Sequence, residues 1–318
     1  MDKISGIHHV TAIASDPQRN IDFYMGFLGL RLVKLTVNFD DPETYHLYYG
    51  DGVGRPGTIM TFFPWPRGDR GKQGTGQLTL TSFSIPEGSV NFWASRLKRK
   101  RISFEGPDKR NDNEQVFSFS DPDGIWLELV AHPRAKDRSG WEDGPVPHEH
   151  AIRGFHHVTL TEEGYEGTAA MLTEVLGFRL LRKDENRFTY EVGSGGAGAM
   201  VDILCRPASP PGLVSVGTVH HAAWRTPSEE LQKEWRDTLA KSGANVTPVM
   251  DRRYFHSIYF REPGHVLFEI ATDPPGFTID EKEEDLGKSL KLPPWLEPLR
   301  THLEHTLPKV HLPEVSIT

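Results

Sequence analysis

The sequence predicts an α+β protein made of four copies of one strand–helix–strand–strand–strand (βαβββ) module, paired into two open, barrel-like sheets. Three observations lead there. Gly6-Ile7-His8-His9-Val10-Thr11 recurs as Gly154-Phe155-His156-His157-Val158-Thr159, and Gly29-Leu30-Arg31-Leu32-Val33 recurs at the same spacing as Gly177-Phe178-Arg179-Leu180-Leu181. A second repeat relates Asp121-Pro122-Asp123-Gly124-Ile125-Trp126-Leu127-Glu128 to Glu262-Pro263-Gly264-His265-Val266-Leu267-Phe268-Glu269, so the halves match and each half divides again. A single such unit leaves one face of a curved sheet uncovered, so units must pair, and four make two pairs.

Module one covers residues 6–66. A strand at 7–13 leads to Asp16, a helix N-cap with Pro17 in the first position. Ile21, Tyr24, Phe27 and Leu28 form a helical stripe that Gly29 ends. Strands follow at 31–38, 45–49 and 58–63, the last two separated by Asp51-Gly52 and Pro56-Gly57. Module two (76–133) has a strand at 77–83, a helix face of Val90, Trp93 and Leu97, and strands near 116–120 and 125–131 around the Asp121–Gly124 turn. Module three spans 153–206, its helix ending at Leu176-Gly177. Module four spans 216–273. Its helix is expected to start at Thr226 as N-cap, with Pro227 next and Glu229 at the capping-box position. Leu231, Trp235 and Leu239 make its stripe, and Gly243 stops it. The expected division is an N-terminal half (1–133), a charge-, Gly- and Pro-rich linker (134–152), a C-terminal half (153–273) and a polar tail (274–318) with an amphipathic piece at 295–303.

The composition is that of an ordinary globular protein: 318 residues, 25% charged, 37% hydrophobic, net charge −8. Nucleic-acid binding is not expected. The one basic cluster, Arg96-Leu97-Lys98-Arg99-Lys100-Arg101, closes a predicted helix, where cations suit the dipole. The lone Cys205 excludes an internal disulfide and a cysteine metal centre, and reads as a small core residue. No apolar leader and no membrane-length apolar run occur, so a cytoplasmic protein without a membrane partner is expected. Self-association is compatible with the mild acidity, and no segment specifies it.

The chemistry begins with strand alternation. In the last strand of module four, Val266, Phe268 and Ile270 share the face that packs on a helix, leaving Leu267 and Glu269 on the concave side. A carboxylate buried there is costly unless a cation meets it, and the simplest cation is a metal ion shared with histidine. First-strand histidines are available as His9, His157 and His221, whereas module two has Gln77-Leu78-Thr79; last-strand acids are Glu128 and Glu269. A set of two histidines and one carboxylate in one cavity therefore needs module four. It is His9, His221 and Glu269 if modules one and four pair, or His157, His221 and Glu269 if modules three and four pair. Either set matches the facial triad of non-haem Fe(II). The other cavity holds one histidine and Glu128, which reads as a relic or structural group. His8 and His220 fall on the opposite face of regular strands, unless a bulge re-aims them. His256 and His265 read as surface or core residues.

The module pattern resembles the vicinal oxygen chelate superfamily, which includes glyoxalase-like proteins and extradiol dioxygenases. Nearly the whole length is similar to ring-cleaving dioxygenases that act on hydroquinones, such as chlorohydroquinone dioxygenase. The resemblance rests on Gly6–Thr11, Tyr45-His46-Leu47-Tyr48-Tyr49, Thr61-Phe62-Phe63-Pro64, Arg153-Gly154-Phe155-His156, Val219-His220-His221, Tyr259 ahead of Phe268-Glu269, and Leu292-Pro293-Pro294-Trp295. It implies His9, His221 and Glu269 as metal ligands, with Fe(II), or Mn(II) in its place. It also implies Tyr259 and Arg252 near the substrate, with Tyr259 or a neighbouring histidine such as His220 handling the phenol proton. This chain departs from the family pattern in keeping His157, so the second ligand set stays open. The implied activity is extradiol-type ring cleavage of a hydroquinone or catechol by O2. The other readings are a glyoxalase-like metal-dependent isomerase or lyase and a non-enzymatic protein binding aromatic ligands.

Overall fold

The computed structural model describes residues 4–313, residue 112 excepted; the ends of the expected N-terminal half and tail lie outside the described residues. Module one comprises β1 (Ile7–Ala14), α1 (Pro17–Ile21), β2 (Arg31–Asn38), β3 (Asp41–Gly50) and β4 (Ile59–Pro64). Module two adds β5 (Gln77–Pro86), α2 (Val90–Arg99), β6 (Phe104–Asn111), β7 (Glu114–Ser120) and β8 (Trp126–His132). Module three has β9 (Phe155–Glu162), α3 (Glu166–Ala170), β10 (Arg179–Asp184), β11 (Arg187–Glu191) and β12 (Met200–Cys205). Module four has β13 (Thr218–Thr226), α4 (Glu229–Lys241), β14 (Met250–Asp251), β15 (Phe255–Arg261) and β16 (Leu267–Pro275).

Local signals behave largely as expected. Asp16 caps α1 by accepting from the Arg19 amide at 2.7 Å, and the helix widens to a π turn over Asp22–Phe27 before Gly29 at φ +73°. The cap of α4 differs. Ser228 accepts from the Leu231 amide, and Thr226 instead completes β13, whose pairing with β16 continues through that residue. The module pattern requires a strand where β6 stands, but no local signal assigned it a position. Its Glu-Gly-Pro-Asp-Lys-Arg run is polar and mostly exposed, because it is an edge strand with little to bury.

The sheets settle which modules pair. One eight-stranded sheet runs β14-β15-β16-β13-β1-β4-β3-β2, and the other runs β10-β11-β12-β9-β5-β8-β7-β6. Modules one and four thus form one cup and modules three and two the other, each joined through an antiparallel pair of first strands. Every sheet takes one module from each sequence half. One continuous apolar cluster, with Phe62, Phe83, Trp93, Phe117, Phe155 and Trp224 fully buried, runs through all four modules. Burial of each phenylalanine contributes roughly 1.5–3 kcal/mol. The expected linker is partly inside as well, through Ala135, Val146 and Ala151.

Turn carboxylates join the two sheets. Asp121 of module two accepts from the Tyr24 hydroxyl at 3.1 Å, and Asp123 accepts from the Ser15 amide and hydroxyl at 2.8 and 2.7 Å. The equivalent contact between modules three and four brings two buried acids together. The Thr168 hydroxyl lies 2.5 Å from both Glu162 Oε2 and Glu262 Oε2. A hydroxyl has one proton, so one of the two contacts needs a protonated carboxyl as donor. Glu262 accepts from the Gly264 and Val266 amides, each at 2.7 Å, which favours its charge. Glu162 is the protonated partner, its pKa pushed up to about 8 by burial and by Glu262. Because this pKa is raised in the folded state, the resulting stability is complete below the ordinary glutamate range and is lost as pH rises through about 8. Glu162→Gln is expected to flatten that fall and to raise the thermal midpoint above wild type at pH 8. A midpoint that falls with pH as steeply as in wild type would contradict this assignment.

The tail, 274–313 in the described part, is not a loose appendage. Phe277 and Leu286 pack with Tyr48, Tyr254 and Phe255 of the first cup, and α5 (Arg300–Thr306) buries Leu303. Among the described residues, no helix is long and apolar enough to cross a membrane.

Candidate metal centre

Three strands of the first cup converge on one point. His9 (β1), His221 (β13) and Glu269 (β16) are 2%, 4% and 0% exposed. Their ligand atoms lie within 4.8 Å of one another, and they form the potential metal-holding group of three found among the described residues. Glu269 Oε2 is 3.2 Å from His9 Nε2 and 3.0 Å from His221 Nε2, while the two Nε2 atoms are 3.2 Å apart. These contacts are close but do not have hydrogen-bond geometry at the carboxylate: Oε2 is buried without a hydrogen-bond partner, while Oε1 accepts from Ser257 Oγ at 2.5 Å. An unpartnered, fully buried carboxylate oxygen facing two imidazole nitrogens fits a divalent cation. Burial opposes the charge on Glu269, yet His9 and His221 outweigh it and hold the carboxyl well below its usual range. Burial lowers the His221 imidazole despite Glu269 beside it.

His157 is not part of this point. It stands in the other cup, where cationic side chains take the equivalent place. Arg110 Nη2 lies 2.6 Å from Glu128 Oε2, and Arg187 Nη1 lies 2.6 Å from Asp202 Oδ2. His157 Nε2 is 3.9 Å from Glu128 and 3.4 Å from Arg110 Nη1. Of the two readings the sequence left for Glu128, relic or structural group, the Arg110 ion pair fits the structural one.

The first histidine of each pair is where regular-strand reasoning fails. The register of β1 against β13 shifts between Ile7 and His9, and again between Thr11 and Ala12 opposite His221 and Val219. His8 and His220 are the extra residues of these bulges, so their rings turn beside their neighbours instead of facing away. The Nδ1 atoms of His8 and His9 are 2.9 Å apart, and those of His220 and His221 are 2.7 Å apart. Burial lowers the His220 pKa to about 3.

A cavity of about 330 Å³ opens at His9 and His221, lined also by Thr11, His46, Tyr48, Phe63, His220, Arg252, Phe255 and Tyr259 among others. Its size suits a single-ring ligand at the small end of binding cavities. Tyr259 pairs across the sheet with Glu269, and its ring lies 5.7 Å from that of His221. Arg252 Nε donates to the Tyr259 hydroxyl at 3.2 Å, and Nη1 lies 2.9 Å from Asp40 Oδ2. Burial pushes the Tyr259 phenol well up, so it stays protonated. His256 meets Glu229 at 3.4 Å on the helix side, and His265 sits in the β15–β16 turn at φ +76°. Neither lines this cavity.

Two contributors had gone unassigned. His46 stacks 3.9 Å from Tyr48 and 4.3 Å from Phe63, and bonds Thr61 Oγ1 at 2.7 Å. Ser257 holds Glu269. The alternation of His46 with Tyr48, and of Ser257 with Tyr259, was the available signal.

The model of the Glyoxalase/Bleomycin resistance protein/Dioxygenase superfamily matches residues 6–129 and 154–279. The chain belongs to this superfamily. Among its relatives in the superfamily, MhqO of Bacillus subtilis (strain 168), named a presumed ring-cleaving dioxygenase, is 45% identical over 96% of both chains. The chlorohydroquinone/hydroquinone 1,2-dioxygenase of Sphingobium indicum is 33% identical over 96% of this chain and 97% of its own. The crystal structure of a presumed dioxygenase from B. subtilis superposes over 100% of both chains with a TM-score of 0.93 at 44% identity. Glyoxalase I from Zea mays shares the superfamily fold at 17% identity, with a TM-score of 0.61 over 84% of this chain and 92% of its own.

Proposed function

We propose that the protein is a metal-dependent dioxygenase that opens a dihydroxylated aromatic ring of the hydroquinone type with O2, and that His9, His221 and Glu269 hold Fe(II). The observation that supports this most directly is the buried, unpartnered Glu269 Oε2 facing the imidazole nitrogens of His9 and His221, two residues that line an aromatic-walled cavity. The donor set also accommodates Mn(II). Further support comes from the Sphingobium indicum relative, whose name gives its substrates as chlorohydroquinone and hydroquinone.

His9, His221 and Glu269 would hold the ferrous ion, which when bound would supply Lewis-acid and redox chemistry toward a ring oxygen and O2. The chain's own residues do the rest. Phe63, Phe255 and Tyr48 shape the walls for a flat ring and exclude bulk water. Tyr259, whose hydroxyl accepts from Arg252, keeps its own proton free to donate to a substrate oxygen. His220 lines the cavity as a neutral imidazole, its Nδ1 2.7 Å from that of His221.

The deciding experiment is anaerobic loading with Fe(II), followed by oxygen uptake with hydroquinone and with catechol. Uptake with hydroquinone is expected. No uptake with either diol by protein carrying one iron per chain would remove the proposal.

A further inference from the structure

We infer that His8, which is not a ligand in the proposed metal centre, sets the proton position on His9 through a relay anchored on a backbone carbonyl. The inference rests on His9, His221 and Glu269 being the ligands. His8 is 1% exposed, and its Nε2 lies 3.1 Å from the Thr272 carbonyl oxygen. A carbonyl only accepts, so His8 Nε2 carries the hydrogen. Burial without a carboxylate in contact keeps this imidazole neutral, so its Nδ1 has a lone pair and no hydrogen. That lone pair faces His9 Nδ1 at 2.9 Å. His9 must then donate from Nδ1, which leaves its Nε2 lone pair free toward Glu269 and His221. A ligand histidine normally fixes its tautomer by donating its far N–H to a carboxylate, carbonyl or water. Here a second imidazole fills that role, and Thr272 fixes the second imidazole. The Phe255 ring packs 5.0 Å from both imidazoles and holds the pair side by side.

The bulge gives the relay its geometry, since a regular strand would send His8 to the other face. The device recurs with different anchors. In the second cup His156 and His157 hold the same Nδ1–Nδ1 contact of 2.9 Å, with His156 Nε2 3.4 Å from Glu114. In module four the corresponding first histidine, His220, lines the cavity instead. His8 is accordingly a positioning residue, and the closed relay belongs to His9 alone among the proposed ligands.

The test is a Zn2+ titration of metal-free protein, with circular dichroism and thermal midpoints recorded beside it. The wild type is expected to take one Zn2+ per chain; no binding would overturn the metal centre itself. His8→Phe keeps a ring but neither nitrogen, and should lose about 10–100-fold in affinity. His8→Asn restores an acceptor near the Nδ1 position and should recover most of that loss, which a merely structural role would not require. A folded His8→Phe that binds Zn2+ as tightly as wild type overturns the relay while leaving the centre standing. Nitrogen-15 spectra of zinc-loaded wild type give an answer that needs no variant: His8 should carry its proton on Nε2, and a proton on its Nδ1 overturns the inference.

Discussion

His9→Ala will lose the bound metal, whereas His157→Ala will retain it. The two residues occupy equivalent places in repeated segments, yet their surroundings are opposite. Around His9 Nε2 stand a second imidazole and an unpartnered carboxylate oxygen, each at 3.2 Å. Around His157 stands Arg110, whose guanidinium already neutralises Glu128 at 2.6 Å. A cation placed there would meet another cation. Removing the His9 ring takes away one of three donors, so the affinity loss should exceed the 10–100-fold typical of losing an outer partner. Iron counted after anaerobic loading, with both variants checked for folding, decides the matter. Iron lost from His157→Ala and kept by His9→Ala would mean that the ligand set is wrong.

The second large effect is on stability. Lys34→Ala should destabilise the fold by about 3–5 kcal/mol, the usual result of removing one member of a buried ion pair. Lys34 is fully buried on β2; its Nζ reaches Asp280 Oδ1 at 2.6 Å, the Phe277 carbonyl at 3.2 Å and the Glu281 carboxylate. It also lies 4.9 Å from the centre of the Tyr254 ring. These contacts pin the tail where Phe277 covers the first cup. With Lys34 gone, Glu281, 2% exposed, is left without the ammonium it meets most closely. Neutralising both acids as well, with Asp280→Asn and Glu281→Gln, should return part of the loss, because the penalty is that of unpaired buried charge. Urea unfolding of the single and triple variants measures both. A Lys34→Ala protein within about 1 kcal/mol of wild type would show that this pairing is replaceable, an effect of the size seen for surface pairs.

Much of this protein was legible in its residues. The repeats predicted four modules, the Asp16 cap and the Ile21–Leu28 stripe located α1, and alternation along β16 put Glu269 in the cup with Val266, Phe268 and Ile270 behind it. These signals are local, since each depends on periods of 2 or 3.6 residues within one segment. The same logic narrowed the ligands to two sets of three, both containing His221 and Glu269. It misplaced the α4 cap by two residues and left β6, which the module pattern requires, without a position, because polar edge-strand composition carries no period.

What the sequence by itself determined was the module, its number of copies and the residue types able to bind an ion. Only the tertiary structure decided that β1 pairs with β13, bringing His9 rather than His157 to the centre, because edges that meet across more than two hundred residues leave no trace in local periodicity. It alone turned His8 and His220 beside their partners, since one inserted residue in a strand reverses the side of the sheet that a side chain faces.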